Sequence, residues 1–464
     1  MNRWKSVTSW IFTLSLGLSI ASVTARALHA QPIQSAPAIT PAIQAEIIDS
    51  VSQALNEIYV FPEVAAQMEQ LMRNNLKSGA YSQLAALDEF MVRLTEDMRS
   101  VSHDLHLGAR PMPPRDAAAM VEEDEAAQSR RQARWIEELR RDNFGFRQLK
   151  VLPGNIGYLE LRGFIPAEYG GPTAVAALNF LANCDALIVD LRENGGGSPS
   201  MIQLISSYFF EEPQHLNSFY IRREDTTQQF WTQAYVQGPR MAETPVFVLT
   251  SGQTFSAAEE FTYNLKNLKR ATIIGQTTGG GAHPVEDHWF RITDEVFVEV
   301  RVPFGRAINP ISGTNWEGTG VEPDVVAPVE DALDVAHTKA LESILAKDVD
   351  EERRGALVWA LDGLKAHVEP APLEASKAAE FTGRFGPRRI AWENGALFYQ
   401  REDRPRYQLT YMGADRFMLE GLDFFRIQFE RDERGVVTKL IGQYADGQRD
   451  ENLRTADATV SERD

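Results

Sequence analysis

The residues best placed for chemistry lie in the stretch Thr250-Ser251-Gly252-Gln253-Thr254-Phe255-Ser256-Ala257-Ala258-Glu259. An apolar, strand-like run (PVFVL, 245–249) leads straight into it, and a helix-like run over 256–268 follows. A serine at a strand-to-helix turn offers an exposed hydroxyl beside unpaired amides of the helix N-terminus. Those amides are the donors an acyl-transfer oxyanion needs. Serine is also a good N-cap, so Ser256 reads either as a nucleophile or as a cap.

Four other turns carry chemistry-bearing residues. Asp190-Leu191-Arg192-Glu193-Asn194-Gly195-Gly196-Gly197-Ser198 follows a second apolar run, ALIVDL (186–191). A glycine run lets backbone amides turn toward a ligand, although it also suits a plain tight turn. It matches no phosphate-binding pattern, having neither GxGxxG nor Gly-Lys-Ser/Thr. Ser102-His103-Asp104-Leu105-His106 places two histidines three apart at the end of a helix-like segment. A histidine beside a small polar residue suits a general base, and solvated or core histidines fit as well. The sequence completes no convincing zinc set there, so no metal is expected. Gly275 to Pro284 (GQTTGGGAHP) is a glycine loop, and Asn315 to Asp324 (NWEGTGVEPD) presents Glu317, which can orient or polarise a base or a hydroxyl.

These turns need elements to hold them. In residues 41–58 the apolar Ile43, Ile47, Val51, Leu55 and Ile58 recur at helical steps, and two more helix patterns follow, making 31–110 an N-terminal helical subdomain. Residues 111–146 are charged and poor in large apolar groups, which predicts a solvated helix or linker; a lid is the other reading. Residues 147–346 alternate continuous apolar strands with helices, predicting a layered α/β core with parallel strands. Within it DEVFVEVRVPF (294–304) reads as a strand near an edge, and residues 332–345 read as a closing helix. Residues 347–373 read as a linker, because prolines and small residues make poor core. From 374 to 464 short aromatic alternating segments are separated by N-G, G-A-D and E-R-G turns, which predicts an antiparallel β meander or small barrel.

Composition narrows the classes. Lys plus Arg is 47 and Asp plus Glu is 65, a net charge of −18, which repels phosphate backbones and argues against nucleic acid as a partner. The single cysteine, Cys184, can form no internal disulfide. Arg3 and Lys5 precede an apolar run over 10–21, and Ala25-Arg26-Ala27 or Ala30 offers a cleavage point, so residues 1–30 read as a secretory signal. The run is shorter than the roughly 20 residues a spanning helix needs, so no stable membrane insertion is expected after cleavage. A periplasmic or extracellular protein is predicted. ATP- and NAD-dependent chemistry is a poor fit to those compartments, and no cofactor is expected.

The ordered set SHDLHL, NIGYLEL, DLRENGGG, LTSGQTFSAAEEF, GQTTGGGAHP and GTGVEPDV resembles the S41 family of serine peptidases, across about residues 45–345. That family includes the carboxy-terminal processing proteases, the tricorn core and the interphotoreceptor retinoid-binding protein repeats. The resemblance implies a core of the ClpP/crotonase type and a peptidase acting on peptide or protein substrates. It places the nucleophile at Ser256 and the oxyanion amides at Ala257 and at Gly195 or Gly196. The processing branch uses a lysine base in the loop where this sequence has Gly279-Gly280-Gly281. The resemblance therefore turns to the tricorn-like branch, with a histidine base supported by a serine and a glutamate. The matching residues are Ser102 with His103, or His106 from the Asp-x-His pattern, together with Glu317. About fifty residues separate His106 from Asn155, too few for a PDZ domain. The retinoid-binding branch implies a second reading, a non-catalytic carrier of hydrophobic ligands. The sequence does not fix the oligomeric state.

Overall fold

The computed structural model describes residues 39–112 and 125–455. The predicted signal at 1–30 lies outside the described residues, as does the part of the charged segment over 113–124. Among the described residues no helix is long and apolar enough to cross a membrane.

Helices α1 (Pro41–Ile58), α2 (Pro62–Ser78) and α3 (Leu87–Ser102) form the N-terminal part. Thr40 caps α1 by accepting the Ile43 amide at 3.3 Å, and Pro41 fills the first turn, where its missing N–H costs nothing. The expected apolar stripe faces inward: Ile47, Val51, Leu55 and Ile58 are buried, with Phe90, Met91, Leu94 and Met98 of α3 beside them. These helices pack against Val298, Val300 and Val302 of β10 (Phe297–Pro303). That strand was expected near an edge. It is instead the middle strand of a three-stranded antiparallel sheet, between β1 (Gly108–Pro111) and β9 (Val285–Arg291). Its nearly continuous burial, not its position late in the block, was the informative sign.

The charged segment contains α4 (Glu125–Arg141). The central sheet has six strands in the order β12-β8-β7-β4-β3-β2. They are β2 (Phe146–Leu152), β3 (Ile156–Leu161), β4 (Ala186–Asp190), β7 (Val246–Thr250), β8 (Ala271–Gly275) and β12 (Val325–Val326). Strands β7 and β8 are parallel, with Thr250 opposite Gly275, so their carboxyl ends stand side by side. Beyond the carboxyl end of β4, the Leu191 amide donates to Leu249 O of β7 at 3.0 Å. All three glycine- or serine-bearing turns therefore leave one edge of the sheet, the edge at which open α/β sheets place their ligands. Helices α5 (Ala167–Leu181), α6 (Pro199–Ser206) and α7 (Ala257–Asn267) follow β3, β4 and β7. A further antiparallel sheet has the order β11-β5-β6, from β5 (His215–Ile221), β6 (Thr226–Trp231) and β11 (Gly305–Ile308).

The chain folds as two compact units. The first holds the described residues up to Lys150, then Tyr158–Asn183 and Val189–Val329; the second holds Val151–Gly157, Cys184–Ile188 and the described residues from Glu330. The second unit includes α8 (Ala332–Leu345), expected to close the catalytic block, and α9 (Glu351–Val368). The segment read as a linker is thus mostly an 18-residue helix, capped by Asp350 and burying Leu357 and Ala360. Its prolines cluster only after it. Helix α10 (Ala375–Glu380) then leads into a closed antiparallel barrel of eight strands, β13 (Gly383–Phe385) to β20 (Arg449–Thr455). Phe385 of β13 pairs with Arg454 of β20 to close it, so no sheet edge is left open. Phe381, Phe385, Phe417 and Phe429 fill its core.

Candidate active site

Ser256 sits between β7 and α7 with φ +55° and ψ −120°, outside the regions a serine normally occupies. Such a residue costs about 1–3 kcal/mol and persists only where its surroundings fix it. Here they do. Thr254 Oγ1 donates to Leu191 O at 2.8 Å and accepts the Ser251 amide at 3.0 Å, while the Phe255 amide donates to Asn194 O at 3.0 Å. The buried Glu259 carboxylate accepts four bonds: from the Ser256 amide (2.8 Å), Thr278 Oγ1 (2.6 Å), the Gly280 amide (2.6 Å) and the Gly281 amide (2.8 Å). Burial raises its pKa, and these bonds oppose the rise.

The turn after β4 lies directly against the serine. A Cβ on Gly196 would stand 2.8 Å from Ser256 Cβ and 3.0 Å from the Ala257 amide nitrogen, and Gly196 has φ +116°. Only glycine fits. Gly196 was one of two glycines expected to donate to an oxyanion, but its N–H already donates to Asn194 Oδ1 at 2.9 Å. The amides of Gly195 and Ala257 have no protein acceptor among the described residues.

The histidines divide sharply. His103 ends α3 in the left-handed conformation and is exposed. Ser102 Oγ accepts the Asp104 amide at 3.2 Å. His106 is 7% exposed, and its ring lies 4.7 Å from that of Phe255, the residue before Ser256. Neither of its ring nitrogens has a hydrogen-bond partner among the described residues. Burial lowers its pKa to about 4, so it is a neutral imidazole at ordinary pH. Gly281 makes room for this pair, since a Cβ there would stand 2.6 Å from His106 Cε1 and 2.3 Å from Phe255 Cζ.

Glu317 comes from the loop after β11. Its Oε2 accepts the Ala282 amide at 2.6 Å, and its Oε1 has no partner among the described residues. Burial and the Asp104 carboxylate raise its pKa to about 7. Side-chain ligand atoms of Asp104, His106 and Glu317 all lie within 4.8 Å of one another. His283 completes the group, with Nδ1 2.7 Å from Asp104 Oδ2 and 3.6 Å from Glu317 Oε2. Burial depresses its pKa, but the bond and charge of Asp104 outweigh that and raise it. The same bond holds Asp104 low despite its own burial.

The fold thus gathers Ser256, Ala257, Gly195 and Gly196 at one turn pair, and places His106 beside the Phe255 ring with Glu317 next to His106. His103 faces solvent. Sequence reasoning passed over Asp104, Glu259 and His283. Glu259 left a signal, since Ser256-x-x-Glu259 is capping-box spacing. Asp104 stands in the Asp-x-His pattern, but its bond to His283, 179 residues away, left no local signal.

Residues 155–327 match the model of peptidase family S41, and residues 35–142 match the N-terminal domain of peptidase S41 in eukaryotic IRBP. The chain belongs to peptidase family S41. A carboxy-terminal-processing protease of Bartonella bacilliformis is 27% identical to this S41 chain over 183 residues, 37% of this chain and 39% of that protein. The S41 chain therefore spans about two fifths of that relative's length. Among solved structures, a lipoprotein from Streptococcus agalactiae is 17% identical, covering 68% of this chain and 99% of the other with a TM-score of 0.41. The photosystem II D1 C-terminal processing protease is 16% identical, covering 63% and 94% with a TM-score of 0.39. The tricorn protease is 14% identical, covering 70% and 37% with a TM-score of 0.40.

Proposed function

We propose that this S41 chain is an exported serine peptidase with Ser256 as nucleophile and His106 as base. The observation that carries the reading is the strained Ser256 backbone, with the Gly196 turn packed against its Cβ and the preceding residue, Phe255, packed against the His106 ring. Ser256 Oγ attacks the substrate carbonyl and gives its proton to His106. The oxyanion accepts hydrogen bonds from the Ala257 and Gly195 amides. His106 then protonates the leaving amine, and water hydrolyses the acyl-enzyme by the same route in reverse. Asp104 and Glu317 stabilise the imidazolium that forms. Glycine occupies the lysine position of the processing branch, which favours histidine chemistry. The charged start and short apolar run of residues 1–30 support export to the periplasm or beyond.

The test treats the full chain with a fluorophosphonate probe and with a mixture of fluorogenic peptides. Labelling at Ser256 with peptide turnover, both lost in Ser256→Ala with the melting temperature preserved, supports the reading. No adduct in the wild type, with apolar ligand retained through purification, would replace it with the carrier.

A further inference from the structure

The Asp104–His106–Glu317 group has more ligand capacity than acid–base chemistry uses. His106 is almost fully enclosed, yet both its ring nitrogens lack a partner among the described residues. Glu317 Oε1 is buried and equally unpartnered. An interior polar atom without a partner keeps the full cost of its lost hydration, so two such groups side by side point to something they bind. The facing atoms of Asp104, His106 and Glu317 lie within 4.8 Å of one another. Ligand atoms on a tetrahedral zinc with bonds of about 2.1 Å stand about 3.4 Å apart, so a small inward turn of the side chains would close the set.

The carboxylates are braced from behind, as metal-ligating carboxylates usually are. The Ala282 amide holds Glu317 Oε2 at 2.6 Å, and His283 Nδ1 and the Tyr59 hydroxyl hold Asp104 Oδ2 at 2.7 and 3.3 Å. His283 is thereby engaged as a brace. The set is one imidazole and two carboxylates. Calcium and magnesium take six or more oxygens or keep most of their water, whereas zinc takes this donor mix with one position open.

We propose that Asp104, His106 and Glu317 bind one zinc-class divalent cation, and that the bound cation holds the peptidase off. Coordination occupies the imidazole lone pair that would accept the Ser256 proton, so the nucleophile loses its base while the fold stays intact. The inhibitory role rests on the serine-peptidase reading; the binding site does not.

Binding is measured on the full metal-free chain by titrating zinc against a chromophoric chelator. One zinc per chain is expected, with affinity falling at least ~10-fold in both Asp104→Asn and Glu317→Gln. Cobalt substitution in the wild type gives a readout free of any folding defect in the variants. Intense visible bands of a four- or five-coordinate nitrogen and oxygen site are expected, and the weak spectrum of hexahydrated cobalt would overturn the site. Unchanged zinc affinity in both variants, with their melting intact, would overturn it too. Fluorophosphonate labelling of Ser256 is then followed with and without zinc. Loss of labelling with zinc and recovery with EDTA supports the off state, and labelling indifferent to bound zinc overturns it. Zinc binding at this site in a chain that never labels would leave the site standing and remove the peptidase reading.

Discussion

Glu259 Oε2 accepts the backbone amide of Ser256 at 2.8 Å, and the same carboxylate grips the amides of Gly280 and Gly281. One buried side chain therefore couples the Ser256 turn to the loop that makes room for His106. Glu259→Gln replaces one acceptor oxygen by an NH2 facing N–H groups that remain buried. Each donor left unpaired costs about 1–3 kcal/mol. The variant should melt several degrees lower and lose at least tenfold in kcat with little change in KM. Wild-type kcat in a folded Glu259→Gln chain would show that the coupling is not used.

Gly281 is a steric gate on His106. Alanine there meets His106 Cε1 and Phe255 Cζ well inside contact distance. Overpacking of this kind costs about 1–3 kcal/mol, which a folded chain survives. Gly281→Ala should therefore fold but lose most of kcat/KM, because the imidazole or the Ser256 turn must move. Gly252→Ala is the control, since a Cβ there meets nothing within 4 Å. Equal activities in the two variants would refute the gate.

The pH profile should have two steps. The proposed base, His106, can take a proton only when neutral, and burial lowers its pKa to about 4, so the first rise is expected well below the usual imidazole range. Glu317, raised to about 7 by burial and by Asp104, gains its charge near neutrality and then stabilises the imidazolium formed in the attack. A second rise in kcat/KM should follow there and vanish in Glu317→Gln. These steps belong to the interacting cluster as a whole. A single rise at the ordinary histidine value, indifferent to Glu317→Gln, would contradict the assignment.

Glu260, the neighbour of Glu259 on α7, points the other way into the interior. Burial raises its pKa from 4.5 to about 8, with Asn217 and Asn264 partly opposing. The folded state thus binds a proton that the unfolded chain has released, and the stability this group contributes is present below about pH 4.5 and lost as pH rises toward 8. The slope from this one group approaches ~1.4 kcal/mol per pH unit. Glu260→Gln should flatten the fall in urea midpoint over that window and exceed the wild type at pH 9. Parallel curves for the two chains would show that the carboxyl is ionised in the fold.

The parts legible in the sequence were those encoded locally. Ile47, Val51 and Leu55 announce α1 by their spacing, the runs ALIVD and VFVLT announce buried strands, and the N-G and E-R-G turns announce the hairpins of the barrel. Ser256 was legible because a strand, a small residue and a helix meet there. What escaped were relationships across the chain. The Asp-x-His pattern inclines to His106 but leaves His103 open; in the fold the chain turns left-handed at His103, which stays exposed, and carries His106 inward to Phe255. Helix α9 was hidden by composition, since its buried face is mostly small residues (Ala360, Gly363 and Ala366 beside Leu357) and the prolines that follow it suggested a linker for the whole stretch.

Helix α9 also decides where the chain can be cut. Arg353 donates to Gly154 O at 2.8 Å and pairs with Asp185, while His337 of α8 contacts Pro153 O at 2.8 Å. A Cβ on Gly154 would strike Leu341, so these two helices close directly over the turn between β2 and β3. Toward the barrel the same helix offers Trp359, whose indole donates to Asp423 O at 2.7 Å under the Arg426 guanidinium. A chain ending at Pro370 keeps the first set of contacts and exposes Trp359. It should melt cooperatively at a lower temperature and still hydrolyse a small ester, because every proposed site residue lies before Gly318. A chain ending at Asp350 loses Arg353 and Leu357 as well, and should lose cooperative melting. If the chain ending at Pro370 also fails to melt cooperatively while the full chain does, the barrel is part of the folding unit of the core, and the small-substrate rate of the truncated protein will be absent with it.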